Sequence, residues 1–249
     1  MARETTKKKR LDVLIHELGH AESRTKAQAV IMSGIVYVDN VKIDKPGTLV
    51  NIDSKILLKK RVSEFVSRGG TKLQAALRHF NIDIRGYTVL DIGASTGGFT
   101  DCILKNGGEK VFAYDVGYGQ IDWGLRNDNR VILKEKINCR YLKPDDVGEM
   151  VDLVVIDVSF ISLELIITPT AAILKPEGEL VALIKPQFEV GKGEVGKGGV
   201  VREEKKHQEV VDKITSYIKK LNFNVIGVIP SPIKGSDGNM EFLIYAKKM

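Results

Sequence analysis

Leu11, Leu14, Ile15 and Leu18 fall at i, i+3, i+4 and i+7, the spacing that lines one face of a helix, and Gly19 follows as a stop. Residues 10–18 are therefore predicted helical. A second helix is predicted from Ser23, a good N-cap, to the stop at Gly34, with Ala27, Val30 and Ile31 as its apolar face. The pattern then changes to alternation over residues 35–38 and 41–43, on either side of Asp39-Asn40, a pair that tolerates the positive φ a two-residue hairpin needs. Helix, helix and hairpin make a small α+β unit of about 55 residues.

From residue 85 onward strand and helix signals alternate. Strands are predicted at 88–91, 110–115, 131–134, 152–157 and 180–184, with helices at 98–105, 163–174 and 203–221. Strands at 225–229 and 242–246 close the chain, and with only the loop 231–239 between them they should pair antiparallel. Such alternation gives an α/β domain whose mostly parallel sheet is covered on both faces. The expected organisation is a first domain over 1–62, a linker and first helix over 63–84, and a large domain over 85–249.

At 249 residues the chain has room for both. No stretch of about 18 apolar residues is present, and the basic start is not followed by an apolar run, so neither a membrane span nor a signal peptide is expected and a cytoplasmic location is the default. The net charge of +6 is unevenly placed. Residues 1–65 hold 13 Lys and Arg against 8 Asp and Glu, whereas residues 66–249 hold 25 against 24. That asymmetry suggests a polyanion-facing module joined to a nearly neutral one. Cys102 and Cys139 form neither a C-x-x-C nor a metal-ligand spacing, so buried, reduced thiols and no metal are expected.

The most chemical stretch is V-L-D-I-G-A-S-T-G-G-F-T over 89–100, a strand running into a Gly-rich turn that opens a helix. Asp91, Gly93, Ala94, Ser95, Thr96, Gly97, Gly98, Phe99 and Thr100 would form a cradle in which backbone approaches a ligand closely and helix N–H groups face it. The spacing G-x-x-x-G-G is not the dinucleotide G-x-G-x-x-G. Asp91, just before the turn, would repel a pyrophosphate but suits a cofactor that carries positive charge, as S-adenosyl-L-methionine does. Asp115, at the end of the next strand, suits a carboxylate accepting from ribose hydroxyls, Asn138 could read an adenine edge, and Asp157 ends the fourth strand. The segment G-K-G-E-V-G-K-G over 191–198 nearly spells a P-loop, but it has no hydroxyl after Lys197 and no strand runs into Gly191. A lid or RNA-contacting loop, with Lys192 and Lys197 on phosphates, fits it better.

The string S-R-T-K-A-Q-A-V-I-M-S-G-I-V-Y-V-D-N over 23–40 resembles the S4 RNA-binding domain, a likeness covering roughly residues 8–60. It implies that Arg24, Lys26 and Gln28 sit at RNA phosphates, with Arg3, Lys7, Lys8, Lys9 and Arg10 extending the contact as a flexible arm. Residues 66–249 resemble the class I methyltransferases, whose Rossmann-like, seven-stranded sheet is mostly parallel with an antiparallel last pair. The likeness is greater to the FtsJ-like ribose methyltransferases and greatest to the TlyA (haemolysin A) family, which joins an S4 domain to that fold. The strings that carry it are S-R-G-G-T-K-L (67–73), L-D-I-G-A-S-T-G-G-F-T-D (90–101), D-V-S-F-I-S-L (157–163), K-P-Q-F-E (185–189) and G-N-M-E-F (238–242).

After the fourth strand the chain has D-V-S-F where amine methylation of bases uses N/D-P-P-F/Y, and neither cysteine is placed as the nucleophile that carbon methylation needs. The resemblance implies instead that Lys72, Asp157, Lys185 and Glu241 act on a ribose 2′-hydroxyl. A neutral amine can take the hydroxyl proton, but a free lysine, with a pKa of about 10.4, is mostly protonated at neutral pH, so burial and a second ammonium must favour the neutral form. Lys185 is assigned as base, Lys72 as electrostatic help, Asp157 as the group placing Lys185 and the methyl donor, and Glu241 as the group steering Lys72 or the hydroxyl. Phe160 either stacks on a flipped base or packs beneath the site. The family implies ribosomal RNA or a ribosomal subunit as partner, with cytidine as the nucleotide. A non-catalytic RNA-binding assembly factor and a membrane-acting haemolysin remain as alternatives.

Overall fold

The structure is a computed structural model that describes residues 7–32, 34–59, 64–191, 193–196, 198–235 and 237–249. It falls into two compact units, Met1–Glu64 with Asp122–Asn127, and Phe65–Ile121 with Asp128–Met249. Arg3, Lys192 and Lys197 lie outside the described residues. Among the described residues no helix is long and apolar enough to cross a membrane.

The first unit runs β1 (Lys8–Arg10), α1 (Leu11–Glu17), α2 (Arg24–Met32), β2 (Val36–Val38), β3 (Val41–Lys42), β4 (Leu49–Asn51) and β5 (Ile56–Leu58). The expected apolar stripes meet: Leu11, Leu14 and Ile15 of α1 and Ala27 and Ile31 of α2 form one core with Val36, Val38 and Val50. The Ser23 hydroxyl accepts from the Lys26 backbone N–H at 3.2 Å, as an N-cap should. Asp39 and Asn40 turn the β2–β3 hairpin with φ of 49° and 67°.

The flexible arm is corrected. Lys8–Arg10 is a strand paired antiparallel with Leu49–Asn51, and Ile52 N–H donates to the Lys7 carbonyl, so this backbone is held by a ladder. The basic side chains are also engaged. Asp12 is fully buried and accepts from Arg10 at 2.9 and 3.0 Å, Arg24 at 3.0 Å and Gln28 at 2.8 Å. The Arg10 hydrogen bond above all, with those of Gln28 and Arg24, outweighs burial and holds the Asp12 carboxyl well below the usual carboxylate range. Lys9 pairs with Glu17 at 2.6 Å, and Lys26 pairs with Glu22. Arg10, Arg24 and Gln28 are thus drawn together by a buried acid that the charge count did not reveal.

The second unit contains α3 (Arg68–His79), β6 (Thr88–Ile92), α4 (Gly98–Lys105) and β7 (Lys110–Tyr114). A single turn α5 (Trp123–Arg126), on the segment 122–127 between β7 and β8, precedes β8 (Val131–Lys134), α6 (Pro144–Val147), β9 (Val151–Ile156), α7 (Glu164–Ala171) and β10 (Leu174–Ile184). The chain ends with α8 (Pro186–Glu189), α9 (Glu204–Lys220), β11 (Phe223–Pro230) and β12 (Phe242–Lys248). Seven strands form one sheet in the order β11-β12-β10-β9-β6-β7-β8. β12 runs antiparallel to both of its neighbours, and the pairs from β10 through β9, β6 and β7 to β8 are parallel. Chain order departs in opposite directions from β6, outward to β7 and β8 and then back to β9, which makes the carboxyl ends of β6 and β9 the switch point where such sheets bind ligands.

One element differs from its sequence pattern. Residues 163–174 continue a helical periodicity, but the helix stops at Ala171 and Leu174 already belongs to β10. Val151 N–H donates to the Ile173 carbonyl and Leu174 pairs with Val151, while the 174–179 segment leaves register around Glu177 at φ 60°. Long-range pairing to β9 decides this boundary, which local periodicity cannot register.

Candidate active site

Gly93 ends the approach of β6 at φ 82°, and a Cβ there would stand 2.4 Å from the Asp157 carbonyl oxygen. Only glycine lets the turn lie this close to the end of β9. Gly97 begins α4 at φ 91°. A Cβ on Gly98 would meet the Ser67 hydroxyl at 2.2 Å and the Gly70 nitrogen at 2.9 Å, so this glycine lets α4 and the start of α3 close together. That contact carries Lys72, on α3, to the carboxyl edge of the sheet.

Two cavities adjoin here, sharing Gly93, Ser95, Asp157, Ser159 and Phe160. The first, of about 370 Å³, is lined by the turn residues Gly93, Ala94, Ser95, Thr96, Gly98 and Phe99, and by Lys72, Asp157, Lys185 and Glu241. All four residues assigned to chemistry from four separate strings therefore face one space. They form two pairs: Lys72 Nζ stands 2.5 Å from Glu241 Oε2, and Lys185 Nζ stands 2.6 Å from Asp157 Oδ1. Each lysine is about 10% exposed and Glu241 is 3% exposed, so these pairs are far less screened than surface salt bridges.

The second cavity, of about 510 Å³, is lined by Asp115 and Asn138 with Ile92, Tyr114, Ile137 and Val158. The Asp115 carboxylate accepts from Ser95 N–H at 2.8 Å and Gly117 N–H at 2.6 Å, which fixes it against the turn with lone pairs left for further donors. Asn138 Oδ1 accepts from Arg140 N–H at 3.2 Å, leaving the amide NH₂ for a ligand. Cys139 lines this cavity too. Its thiol is pushed up to about 12 by burial and by Asp115 and Asp91, the opposite of what a thiolate nucleophile requires.

Asp91, Gly97 and Thr100 line neither cavity. Asp91 is fully buried beneath the turn: Oδ2 accepts from the Thr100 hydroxyl at 2.6 Å, and Oδ1 has no hydrogen-bond partner. Burial, opposed by Thr100 and reinforced by Asp157, raises its pKa to about 7. A carboxylate left half-satisfied under a Gly cradle, with Asp115 and Asp157 beside it, fits a ligand with positive charge.

Three supporting residues carried no signal by their type. Ser159 Oγ accepts from Lys185 Nζ at 2.9 Å. Asn239 is fully buried, with Oδ1 accepting from Val201 N–H and Nδ2 donating to the Gly199 carbonyl, so it fastens the end of the Gly-rich loop two residues before Glu241. Glu189 accepts from Leu163 N–H and the Ser162 hydroxyl, both at 2.7 Å, clamping the loop after β9 to α8. All three lie inside strings singled out for their charged members, and that proximity was the only signal. Burial raises the Glu189 carboxyl, and glutamine, unlike alanine, keeps an oxygen to accept from the Leu163 N–H. Glu189→Ala is expected to destabilise this unit by about 1–3 kcal/mol by leaving the Leu163 N–H unsatisfied, with Glu189→Gln closer to the parent. Thermal melting of the two variants checks this, and equal melting temperatures would remove the clamp.

Comparisons with known proteins agree with this geometry. The model of the FtsJ-like methyltransferase family matches residues 65–248, and that of the S4 domain matches residues 9–56. The chain is similar to the 16S/23S rRNA (cytidine-2′-O)-methyltransferase TlyA of Mycobacterium tuberculosis, with 42% identity over 96% of this chain and 89% of that protein. It is similar to Hemolysin A of Brachyspira hyodysenteriae, with 40% identity over 95% of this chain and 98% of that protein. A solved structure of a Streptococcus thermophilus protein titled as a hemolysin superposes with a TM-score of 0.74 at 42% identity, covering 98% of this chain and 90% of that one. With a family model spanning the whole larger unit and these relatives spanning nearly the whole chain, the protein belongs to the FtsJ-like methyltransferase family and carries an amino-terminal S4 domain.

Proposed function

We propose that this protein transfers a methyl group from S-adenosyl-L-methionine to the ribose 2′-hydroxyl of a nucleotide in ribosomal RNA. The observation that carries the reading is the convergence of Lys72, Asp157, Lys185 and Glu241, as two acid–lysine pairs with largely buried lysines, on one cavity that adjoins the pocket under the Gly turn. The name of the Mycobacterium relative supports cytidine as the nucleotide and ribosomal RNA as the partner. Chemistry on a base fits less well, since Cys139 is held as a thiol and the chain has D-V-S-F after the fourth strand.

When bound, S-adenosyl-L-methionine supplies an electrophilic methyl on a positively charged sulfur. Asp115 and Asn138 would hold its ribose and adenine, and the turn from Gly93 to Phe99 its amino-acid end, over the negative charge of Asp91 and Asp157. Lys185 would act as the base that takes the 2′-hydroxyl proton, and the donor would supply the methyl to the ribose oxygen. Lys72, oriented by Glu241, stabilises the negative charge growing on the ribose oxygen. Asp157 holds Lys185 and thereby the geometry of attack. In the first unit, Arg10, Arg24 and Gln28 gathered on Asp12, with Lys7, Lys8, Lys9 and Lys26 nearby in sequence, provide the surface for RNA phosphates.

The test is to incubate the protein with tritiated donor and ribosomal subunits from a strain lacking it, and to map the label by nuclease digestion. Label on a ribose supports the reading, and label on a base overturns it.

Asp91 gives the cofactor site a pH dependence with a definite sign. Because its folded pKa of about 7 lies above the ordinary value near 4, the folded chain holds a proton that the unfolded chain has lost across that window. The stability of the ligand-free unit should therefore fall as pH rises from about 4 to about 7. A cationic ligand favours the ionised form, so affinity for S-adenosyl-L-methionine should rise over the same range, more than for S-adenosylhomocysteine, whose sulfur is neutral. Calorimetric titration of both ligands against pH, with Asp91→Asn flattening the response, checks this.

A further inference from the structure

The loop after β9 carries a residue that the four-residue reading leaves out. Ser159 lies between Asp157, which ion-pairs with Lys185, and Phe160, and its hydroxyl stands 2.9 Å from Lys185 Nζ while lining both cavities. Phe160 holds φ at 64°, a conformation a bulky side chain adopts only when its surroundings impose it, and its side chain is 90% exposed, so burial of the ring does not repay that conformation. What imposes it is visible at both ends of the loop. Asp157 is tied to Lys185 and Ser162 to Glu189, and both anchors come from the single segment 185–189. The loop is therefore fixed twice to the strand end that carries the proposed base, and the Ser159 hydroxyl is fixed with it.

The geometry points to Ser159 as a positioning residue that aims Lys185, an inference resting on the assignment of Lys185 as base. A neutral lysine has two N–H bonds and one lone pair on a tetrahedral nitrogen. Ser159 Oγ, at 2.9 Å, takes one N–H bond, while the Asp157 carboxylate stands 2.6 Å away as the charged partner, so the hydroxyl fixes the rotation of the nitrogen and with it the direction of the lone pair toward the cavity that Lys185 lines. With Asp157 alone the nitrogen can rotate about its single partner, and the lone pair leaves the hydroxyl for most of the time. Ser159 also suits the second half of the step. Once Lys185 holds the 2′-hydroxyl proton it is an ammonium with three N–H bonds, one still received by Ser159 and its charge faced by Asp157, so proton transfer needs no rearrangement around the nitrogen. The proton count is closed: the one lost by the ribose oxygen is the third on Lys185, released to solvent before the next turnover.

The experiment compares the full-length parent with Ser159→Ala, Ser159→Thr and Lys185→Met, using tritiated S-adenosyl-L-methionine and ribosomal subunits from a strain lacking the protein. Binding of S-adenosylhomocysteine is measured separately by calorimetry. Ser159→Ala is expected to lower kcat by about 10- to 100-fold, the loss of one hydrogen bond to a charged group, with KM for subunits and Kd for S-adenosylhomocysteine unchanged. Ser159→Thr keeps the hydroxyl and should recover most of kcat, which a loss of packing would not. Parental kcat in Ser159→Ala alongside an inactive Lys185→Met overturns the role of Ser159 and leaves the base intact. Full activity in Lys185→Met overturns the base and this inference together. A Ser159→Ala variant that also loses S-adenosylhomocysteine binding overturns it too, because the serine would then be holding the pocket rather than the lysine.

Discussion

Lys185→Met is expected to lower kcat for methyl transfer by about 10²- to 10⁴-fold, the range a positioned general base contributes, while S-adenosylhomocysteine binds with parental affinity. Methionine keeps an unbranched apolar stem of nearly the same reach, with sulfur in place of Cδ, and lacks the terminal nitrogen. The side chain in question is about 10% exposed, its nitrogen stands 2.6 Å from Asp157, and the residue lines the cavity where the proposed 2′-hydroxyl would lie. Its loss leaves the Asp157 carboxylate without its cation, so Asp157→Asn in the same background separates the two effects. If the unpaired charge were the cause, the double variant would recover activity, and if the missing base were the cause, it would not. Single-turnover rates of label transfer to ribosomal subunits decide between them, and a rate within about tenfold of the parent would assign the proton to another group.

Gly93→Ala is expected to abolish cofactor binding and to weaken the fold of the larger unit. The new methyl would stand 2.4 Å from the Asp157 carbonyl oxygen and 2.9 Å from its carbon, contacts with backbone that no rotamer change can relieve. The φ of 82° adds a left-handed penalty of about 1–2 kcal/mol for alanine, and overpacking adds about 1–3 kcal/mol more. At about 2–4 °C per kcal/mol for a unit of this size, thermal melting should fall by roughly 5–15 °C. Because relief requires β6 and β9 to part at their carboxyl ends, S-adenosylhomocysteine should give no calorimetric signal even well below the melting temperature. By contrast, Gly119→Ala has open space around the added methyl and shares the positive φ, so it isolates the backbone penalty from the collision. Equal behaviour of the two variants would show that close approach at Gly93 is unimportant.

Much of the molecule can be read from the chain because its signals are local. Hydrophobic spacing places α1, α2, α4 and α9 to within a residue or two, and Asp39-Asn40 marks the hairpin because only a few residue types adopt that turn at low cost. The Gly-rich turn announces a cradle for the same reason. Strands β1, β4 and β5 and the start of β10 were not legible. Each is short or irregular and exists through pairing with a strand far away in sequence, as Lys8–Arg10 does with Leu49–Asn51.

The site divides along the same line. Residue type and neighbouring string single out Lys72, Asp157, Lys185 and Glu241, and only the sheet order brings them together, pairing Lys72 with a glutamate 169 positions later. The basic residues of the first unit are visible as charge, but the buried Asp12 that gathers Arg10, Arg24 and Gln28 is visible only once the helices pack. Ser159, Glu189 and Asn239 are ordinary polar residues in sequence and become anchors because each has a fixed partner, with burial of Glu189 and Asn239 raising the cost of losing them. By itself, then, the sequence determined periodicity, turn chemistry and which residue types stand in the candidate strings, all properties of residues and near neighbours. Pairing, burial and orientation depend on distances between segments far apart in the chain, and those the tertiary structure alone decided.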